Sequence, residues 1–159
     1  MNRYMSNLTT NKNFLTPVGF QFKINSTKYA NLEYFCIGAS LPTVGLSQID
    51  VGHRGVNLAV TGDRLSFEDL TLRVNVTENM ENYIETFNWL HNIAQKGDSE
   101  DFKEDATLLI LSSHNNVNKQ IRFKGVFPTS LGGIEFNTQS DTEFAQIDIT
   151  FAYTYFEIE

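Results

Sequence analysis

The amino-acid sequence predicts a mainly β fold, a sandwich or barrel with one packed α-helix and a long β-arm. Alternation of apolar and polar residues recurs along most of the chain, whereas one segment alone has a clear helical period. Aromatic residues make up 13% of the chain and are dominated by Phe and Tyr, which favour strands. With 159 residues, one domain can bury about two-thirds of its unfolded surface without disulfides or metals.

The N-terminal third predicts a loose segment followed by two strands. Residues 1–13 contain little apolar material and predict a flexible N-terminal arm, which leaves residues 14–159 as a single β domain. After Pro17, residues 20–24 alternate as in a half-buried strand. Residues 32–37 predict a second strand that is apolar on both faces and ends at Leu41-Pro42.

The segment from Thr43 to Arg64 predicts a long, extended hairpin rather than core. It carries four glycines with short apolar pairs between them. Apolar and polar residues alternate again over residues 67–76, which predicts a strand. The hairpin would therefore be an arm that leaves the domain and returns to it.

Residues 78–96 predict the helix. Thr77 is the expected N-cap, and Gly97 is the expected C-terminal stop before an acidic, solvated loop over residues 97–105. The apolar stripe that should face the sheet has helical spacing and consists of Met80, Tyr83, Ile84, Phe87, Leu90 and Ala94.

The C-terminal third predicts strands over residues 107–112, 119–126 and 133–137, and one long strand over residues 143–157. Between the second and third of these lies FKGVFPTSLGGIEF (123–136). Its proline is expected to end a strand, and its two glycines are expected to supply positive φ angles in a corner.

Charge and composition exclude several classes of protein. A net charge of −7 argues against a surface that grips nucleic acid backbone. The polar N-terminus has no signal-peptide core, and no apolar run approaches the roughly 20 residues of a membrane span. We therefore expect a soluble protein that is intracellular where it is made.

No catalytic, metal or cofactor site is predicted, and we expect no enzyme activity. His53, His91 and His114 lie in unrelated contexts, and Cys36 has no evident histidine partner. The acids of residues 97–105 lack the order of a calcium loop, and the glycine pair at 132–133 precedes no helix that could bind phosphate.

The excess of strands that are apolar on both faces predicts a partner surface, most simply another copy of the chain. An alternative from a different class of protein also remains, namely a β-sandwich module that binds carbohydrate or peptide on exposed Tyr and Trp side chains. Trp89 lies beside the helical apolar stripe, so we expect it to be buried against a sheet.

Five motifs in order resemble the tail tube proteins of contractile-tailed bacteriophages, over roughly residues 14–157. The same fold builds the baseplate tube initiators and the tube proteins of type VI secretion. A baseplate tube initiator therefore remains an alternative, although initiators commonly carry extra terminal segments. The motifs are CIGASLPTVGL (36–46), VTGDRLSFEDLTLRV (60–74), NWL (88–90), KGVFPTSLGGIEF (124–136) and DITFAYTYFE (148–157).

The resemblance implies a structural virion protein of the phage tail, assembled in the host bacterial cytoplasm. Hexameric rings would stack into a tube, and strands of six subunits would form one continuous barrel around a channel for genome delivery. The implied partners are other copies of the chain, the tail sheath protein, the baseplate tube initiator and the tail terminator. Genomic DNA or the tape measure protein would pass through the lumen without specific binding, and the acidic balance would repel DNA.

On this basis we predict three sets of assembly residues. The arm would stack rings through Val44, Leu46, Ile49, Val51, Arg54, Val56, Leu58 and Arg64. Contacts within a ring would involve Phe20, Phe22, Ile24, Phe151, Tyr153 and Tyr155. A rim loop would contain Pro128, Gly132 and Gly133.

Overall fold

A computed structural model describes residues 9–139 and 143–159, so residues 1–8 of the predicted N-terminal arm lie outside it. The mainly β prediction is confirmed, but the strands do not close into a barrel. Among the described residues, no helix combines the length and apolar character that crossing a membrane requires.

Nine strands and two helices make up the described structure. The strands are β1 (Phe20–Ile24), β2 (Cys36–Ser40), β3 (Val44–His53), β4 (Val56–Phe67), β5 (Leu70–Asn75), β6 (Glu104–Leu111), β7 (Val117–Leu131), β8 (Gln146–Ala152) and β9 (Tyr155–Ile158). The helices are α1 (Ala30–Tyr34) and α2 (Glu81–Lys96), and short 3-10 turns lie at Thr27–Tyr29 and Glu100–Phe102.

The long strand β7 belongs to two antiparallel sheets. Its first half pairs with β6 on one side and with β9 on the other, and β1 extends this first sheet beyond β6. Its second half pairs with β8, followed by β5 and β2, and these four strands form the second sheet. Strands β3 and β4 pair only with each other and form the predicted arm.

The hydrophobic core lies between the two sheets, where one face of each strand packs inward. Alternation in β5 and β8 follows the predicted parity, because every second residue points to the core. The most deeply buried apolar residues are Leu32, Leu70, Leu72, Val74, Phe123, Ile149 and Phe151.

The predicted strand over residues 32–37 is wrong, because α1 occupies its first half. Ser26 caps the 3-10 turn before α1 by accepting a hydrogen bond from the Lys28 amide. Leu32 is fully buried while Tyr34 is 81% exposed, so the apolar residues belong to opposite sides of a helical turn. Strand β2 begins only at Cys36.

The predicted last strand is divided into β8 and β9, which belong to different sheets. The chain leaves the second sheet at Tyr153 and joins β7 in the first sheet at Tyr155. The Thr154 amide donates to the Lys124 carbonyl at 2.9 Å and fixes this crossing.

Helix α2 is confirmed, but its buried face differs from the predicted stripe. The helix begins at Glu81, three residues later than predicted, and its N-cap is Met80 in the left-handed conformation, not Thr77. Thr77 Oγ1 nevertheless accepts a hydrogen bond from the Glu81 amide at 3.0 Å. Asn82 and Thr86 are fully buried, whereas Phe87 of the predicted stripe is 52% exposed. Polar residues occupy the inner face because Asn82 Nδ2 donates to the Asn75 carbonyl at 2.6 Å and thereby satisfies a buried acceptor.

The segment FKGVFPTSLGGIEF is not the predicted corner. Pro128 is buried within β7, which continues to Leu131, and residues 133–137 form no strand. Neither Gly132 nor Gly133 is among the described residues with positive φ, whereas Gly125 has a φ of 66°. Gly132 instead allows close approach, because its amide donates to the Asp148 carbonyl at 2.9 Å.

Replacing Gly132 by alanine should destabilise the protein by about 1–3 kcal/mol. A Cβ atom there would lie 2.7 Å from the Asp148 carbonyl oxygen, a backbone atom that cannot move without breaking the β7–β8 pairing. Gly133→Ala is the matched control, because a Cβ atom there meets no atom within 4 Å. Equal midpoints of urea unfolding for the two variants would contradict this explanation.

Candidate assembly surfaces

The arm is a hairpin closed by a two-residue turn. His53 pairs with Val56, and the intervening Arg54 and Gly55 both have positive φ, 44° and 84°. This is the arrangement of a type I′ turn, whose twist matches that of the two strands. The prediction of an extended arm is therefore confirmed, with Arg54 at its tip.

The distal half of the arm has one apolar and one polar face. Residues that are directly opposite in an antiparallel pair share a face, and neighbours along a strand alternate. The mainly apolar face contains Ile49, Val51, Val56, Leu58 and Val60, with His53 at the turn, and the mainly polar face contains Gln48, Asp50, Asn57 and Thr61, with Ala59 opposite Asp50. The five apolar side chains are 47–66% exposed. No other part of residues 9–139 and 143–159 covers this apolar face.

Aromatic contacts fix the base of the arm to the domain. The Phe67 ring lies 6.2 Å from the Tyr153 ring and 5.3 Å from the Phe156 ring. Tyr153 donates its hydroxyl to the Glu68 carbonyl at 2.7 Å, and burial raises the pKa of this hydroxyl, with smaller contributions from Asp69 and Glu68. The arm therefore projects in a defined direction.

Three of the residues predicted for contacts within a ring are inside the subunit. Phe22, Ile24 and Phe151 are 2%, 7% and 0% exposed, so the prediction is corrected: their side chains stabilise the subunit's own core. Phe20 and Tyr153 are partly buried, and Tyr155 is 40% exposed.

Strand β1 lies at the edge of the first sheet, beside an open cleft of about 640 Å³. The cleft is bounded by β1, α1 and the start of β2. At one end of the strand the edge is already occupied, because the Ile24 amide donates to Glu33 Oε2 at 3.1 Å. A carboxylate at this position hinders extension of the sheet by another strand.

The second sheet has edges at β2 and at the second half of β7. Pro128, one of the predicted rim residues, lies on the latter edge opposite Phe151. Asp148 of β8 directs its carbonyl toward β7, so by alternation Phe151 directs its backbone groups away from β7. An N–H group at position 128 would point away from β8, so a proline there removes no hydrogen bond of the sheet.

Trp89 is buried at the centre of the helix–core contact and is not an exposed binding platform. It is 1% exposed, its ring stacks on Tyr29 at 4.0 Å, and its Nε1 donates to the Phe102 carbonyl at 2.7 Å. Burial, together with Glu104 and Glu85, raises the pKa of Tyr29 to about 12. The predicted burial of Trp89 is confirmed.

Cys36 and the histidines form no reactive cluster in the described part of the chain. Burial raises the pKa of the Cys36 thiol to about 11, which disfavours the nucleophilic thiolate. His53 lies at the arm tip, His91 on α2 and His114 between β6 and β7. Within the described ranges, no group of three or more His, Cys, Asp or Glu side chains could hold a metal ion.

A sequence model of one family, described as phage tail tube protein, matches residues 1–159. The chain belongs to the phage tail tube protein family. This tail tube protein is 27% identical over 151 residues to tail tube protein gp19 of Enterobacteria phage T4 and 26% identical to that of Enterobacteria phage T6. Each alignment covers 91% of both chains.

Solved structures share the fold of this tail tube protein. A chain of the extended sheath–tube complex of an extracellular contractile injection system has a TM-score of 0.70 at 16% identity, with 93% of both chains covered. A chain of the tube-terminating cap of the anti-feeding prophage has a TM-score of 0.73 at 17% identity, with 99% and 98% covered. Family membership makes this tail tube protein a structural component of the phage tail.

Val60 is absent from the predicted set of arm residues, although it completes the apolar face of the arm. The alternation of Val56, Leu58 and Val60 indicates a shared face, but the register that brings Val60 opposite Ile49 depends on the position of the turn. Val44 and Leu46 lie nearer the base of the arm, beyond a shift in the β3–β4 register, and Arg64 lies within the shifted segment of β4.

Proposed function

We propose that the protein is the repeating subunit of a tail tube, in which hexameric rings stack to form the channel for genome delivery inside a contractile sheath. The observation that supports this proposal is the arm, whose distal apolar face is exposed to solvent in the described part of the subunit. A contiguous apolar surface of this kind is typical of a protein–protein interface.

Stacking would use the arm as a connector between rings. The aromatic contacts at its base hold the hairpin in one direction, which reduces the entropy lost when it docks. The arm is inserted between β2 and β5, which pair with each other in the second sheet, and it forms a separate two-stranded ribbon. A neighbouring subunit would therefore cover Val51, Leu58 and their neighbours. The predicted stacking role of these residues remains part of the proposal.

Ring closure would use the second sheet. Its four strands are all antiparallel, so the second half of β7 in one copy and β2 in the next run in opposite directions and continue the same pattern. Six copies contain about 24 strands, and a spacing of about 4.8 Å gives a circumference of about 115 Å. The corresponding diameter is about 37 Å and increases when the strands tilt.

The proposed partners follow from this assembly. They are other copies of the chain, the sheath, the baseplate tube initiator and the tail terminator, with assembly in the host cytoplasm. The two curated relatives, both named tail tube protein, favour the repeating subunit over the initiator. Burial of Trp89 removes the tryptophan from the aromatic platform on which the carbohydrate- or peptide-binding alternative depended.

Electron microscopy of the purified protein tests the proposal. At high concentration, or beside a baseplate that can initiate assembly, we expect six-fold rings and tubes with a central channel. Analytical ultracentrifugation at increasing concentration should show a shift from subunit to large assemblies. A chain that remains monomeric under all of these conditions would contradict the proposed function.

A further inference from the structure

The outer face of the second sheet differs in charge from that of the first sheet. The strand segments of the second sheet, 36–40, 70–75, 127–131 and 146–152, contain only two charged residues, Arg73 and Asp148. The strands of the first sheet contain Lys23, Glu104, Asp105, Lys119, Arg122, Lys124 and Glu157. The negative net charge of the chain is therefore not located on the second sheet.

The two charges of the second sheet neutralise each other. Arg73 and Asp148 are directly opposite on β5 and β8, with Arg73 Nε donating to Oδ1 at 2.8 Å and a terminal guanidinium nitrogen donating to Oδ2 at 3.2 Å. This is the two-point geometry that guanidinium and carboxylate groups form best. Both side chains are about half exposed, at 57% and 50%, so the pair stands on the open face.

Small polar residues surround the pair. Thr71 lies opposite Thr150, Ser130 extends the same row on β7, and Ser40 extends it on β2. By strand alternation these residues share the outer face with Arg73 and Asp148, while Leu72 and Ile149 face the core. The strands of the second sheet therefore present a hydrophilic outer surface without net charge.

We propose that this face is the wall of the channel and that Asp148 determines its behaviour toward nucleic acid by neutralising Arg73. The inference rests on the proposed tube assembly, in which the second sheet continues from copy to copy. A ring of unpaired arginines would bind the phosphate backbone of a DNA duplex, whereas paired arginines present no net charge. DNA transit would thus depend on neutrality of the wall, rather than on repulsion by the acidic balance of the chain.

The pair persists over the pH range in which a tube would operate. The Arg73 guanidinium, by hydrogen bonding and charge, holds the pKa of the Asp148 carboxyl below its ordinary value. A depressed pKa means that the stabilising interaction is present above the ordinary aspartate pKa of about 3.9 and is lost only as the pH falls through the lowered value.

The test measures retention of a short fluorescent DNA duplex by sedimented tubes. Wild-type tubes should retain little DNA, whereas Asp148→Asn tubes should retain at least about tenfold more at low salt and lose it as salt increases. The same duplex carrying streptavidin at both ends cannot enter the channel and should not be retained. The double variant R73Q/D148N, which has no charge, should behave like the wild type.

A second pair of variants keeps the Arg73–Asp148 interaction intact. Thr150→Lys adds a cation to the proposed wall, and Thr107→Lys adds one to the outer face of the first sheet, on β6. We expect T150K tubes to retain the unblocked duplex only. Any duplex that T107K tubes retain should be retained equally with and without streptavidin, because Thr107 lies between Lys23 and Arg122 on a face outside the proposed channel.

Three outcomes would overturn the inference while leaving the tube proposal intact. The first is equal retention by wild-type, D148N and T150K tubes. The second is equal retention of blocked and unblocked duplex by D148N tubes, which would place this face outside the channel. The third is that D148N tubes retain polyglutamate but not the duplex, which would indicate that the wall contacts a protein cargo and not DNA. Absence of tubes in the wild type would instead contradict the proposed function on which the inference rests.

Discussion

Replacing Val60 by lysine should abolish tube formation while the subunit remains folded. Val60 lies on the apolar face of the arm opposite Ile49, so stacking would remove its side chain from water. An unpaired ammonium group in such an interface costs several kcal/mol, and every 1.4 kcal/mol reduces an association constant about tenfold. Because each ring would contribute several arms, the effect should exceed that of a single contact.

The adjacent residue provides the matched control. Thr61 lies on the polar face opposite Gln48, so Thr61→Lys adds the same charge to the same strand on the opposite side. Pelleting and electron microscopy should show tubes for T61K and free subunits or single rings for V60K, with similar unfolding midpoints for both. Normal tubes from V60K, or an equal loss in both variants, would exclude the apolar face as the stacking surface.

Replacing Trp89 by alanine should destabilise the subunit by about 3–5 kcal/mol. The indole is almost completely buried, stacks on Tyr29 and contacts Phe151, so its removal leaves a cavity between α2 and the core. The change also leaves the Phe102 carbonyl without its 2.7 Å hydrogen bond from Nε1. Urea unfolding followed by far-UV circular dichroism measures the effect without depending on tryptophan fluorescence.

Trp89→Phe separates the two contributions. It retains an aromatic ring in the same space but removes the donor, and it should cost about 1–2 kcal/mol, the typical penalty of an unsatisfied buried acceptor. A W89A protein as stable as the wild type would show that α2 is not held to the core through this residue.

The sequence predicted those parts of the fold whose pattern has a local physical cause. Alternation identified β1 and β5, because the side-chain period of a strand is two. Glycines and short apolar pairs identified the arm, and the exposed Arg54-Gly55 turn agrees with an extended hairpin. The order of five motifs predicted the family, which the match over residues 1–159 confirms.

The remaining errors arise where tertiary contacts override local pattern. Residues 32–34 were read as strand because their apolar residues alternate, although Leu32 packs in the core from a short helix. Apolar spacing predicts a face of α2 that excludes Asn82, whereas the structure buries Asn82, which donates a hydrogen bond to the Asn75 carbonyl at the end of β5. The local sequence pattern does not reveal such contacts.

The candidate site was predictable in location and less so in detail. Alternation placed apolar residues on the arm, but which of them share a face depends on the register set by the two-residue turn. Residues Phe22 and Phe151 were assigned to a neighbour because they are apolar, yet apolarity alone does not distinguish a subunit core from an interface. The Arg73–Asp148 pair required the β5–β8 register, which no local pattern contains.

A cryo-electron microscopy reconstruction of the assembled tube would show directly whether the arms join adjacent rings. We expect six subunits per ring, with the apolar face of each arm, including Val51, Leu58 and Val60, buried against a subunit of the adjacent ring. We also expect a continuous inner wall built from the sheets that contain β5 and β8. A reconstruction in which the apolar face of the arm remains in contact with solvent would rule out this assembly.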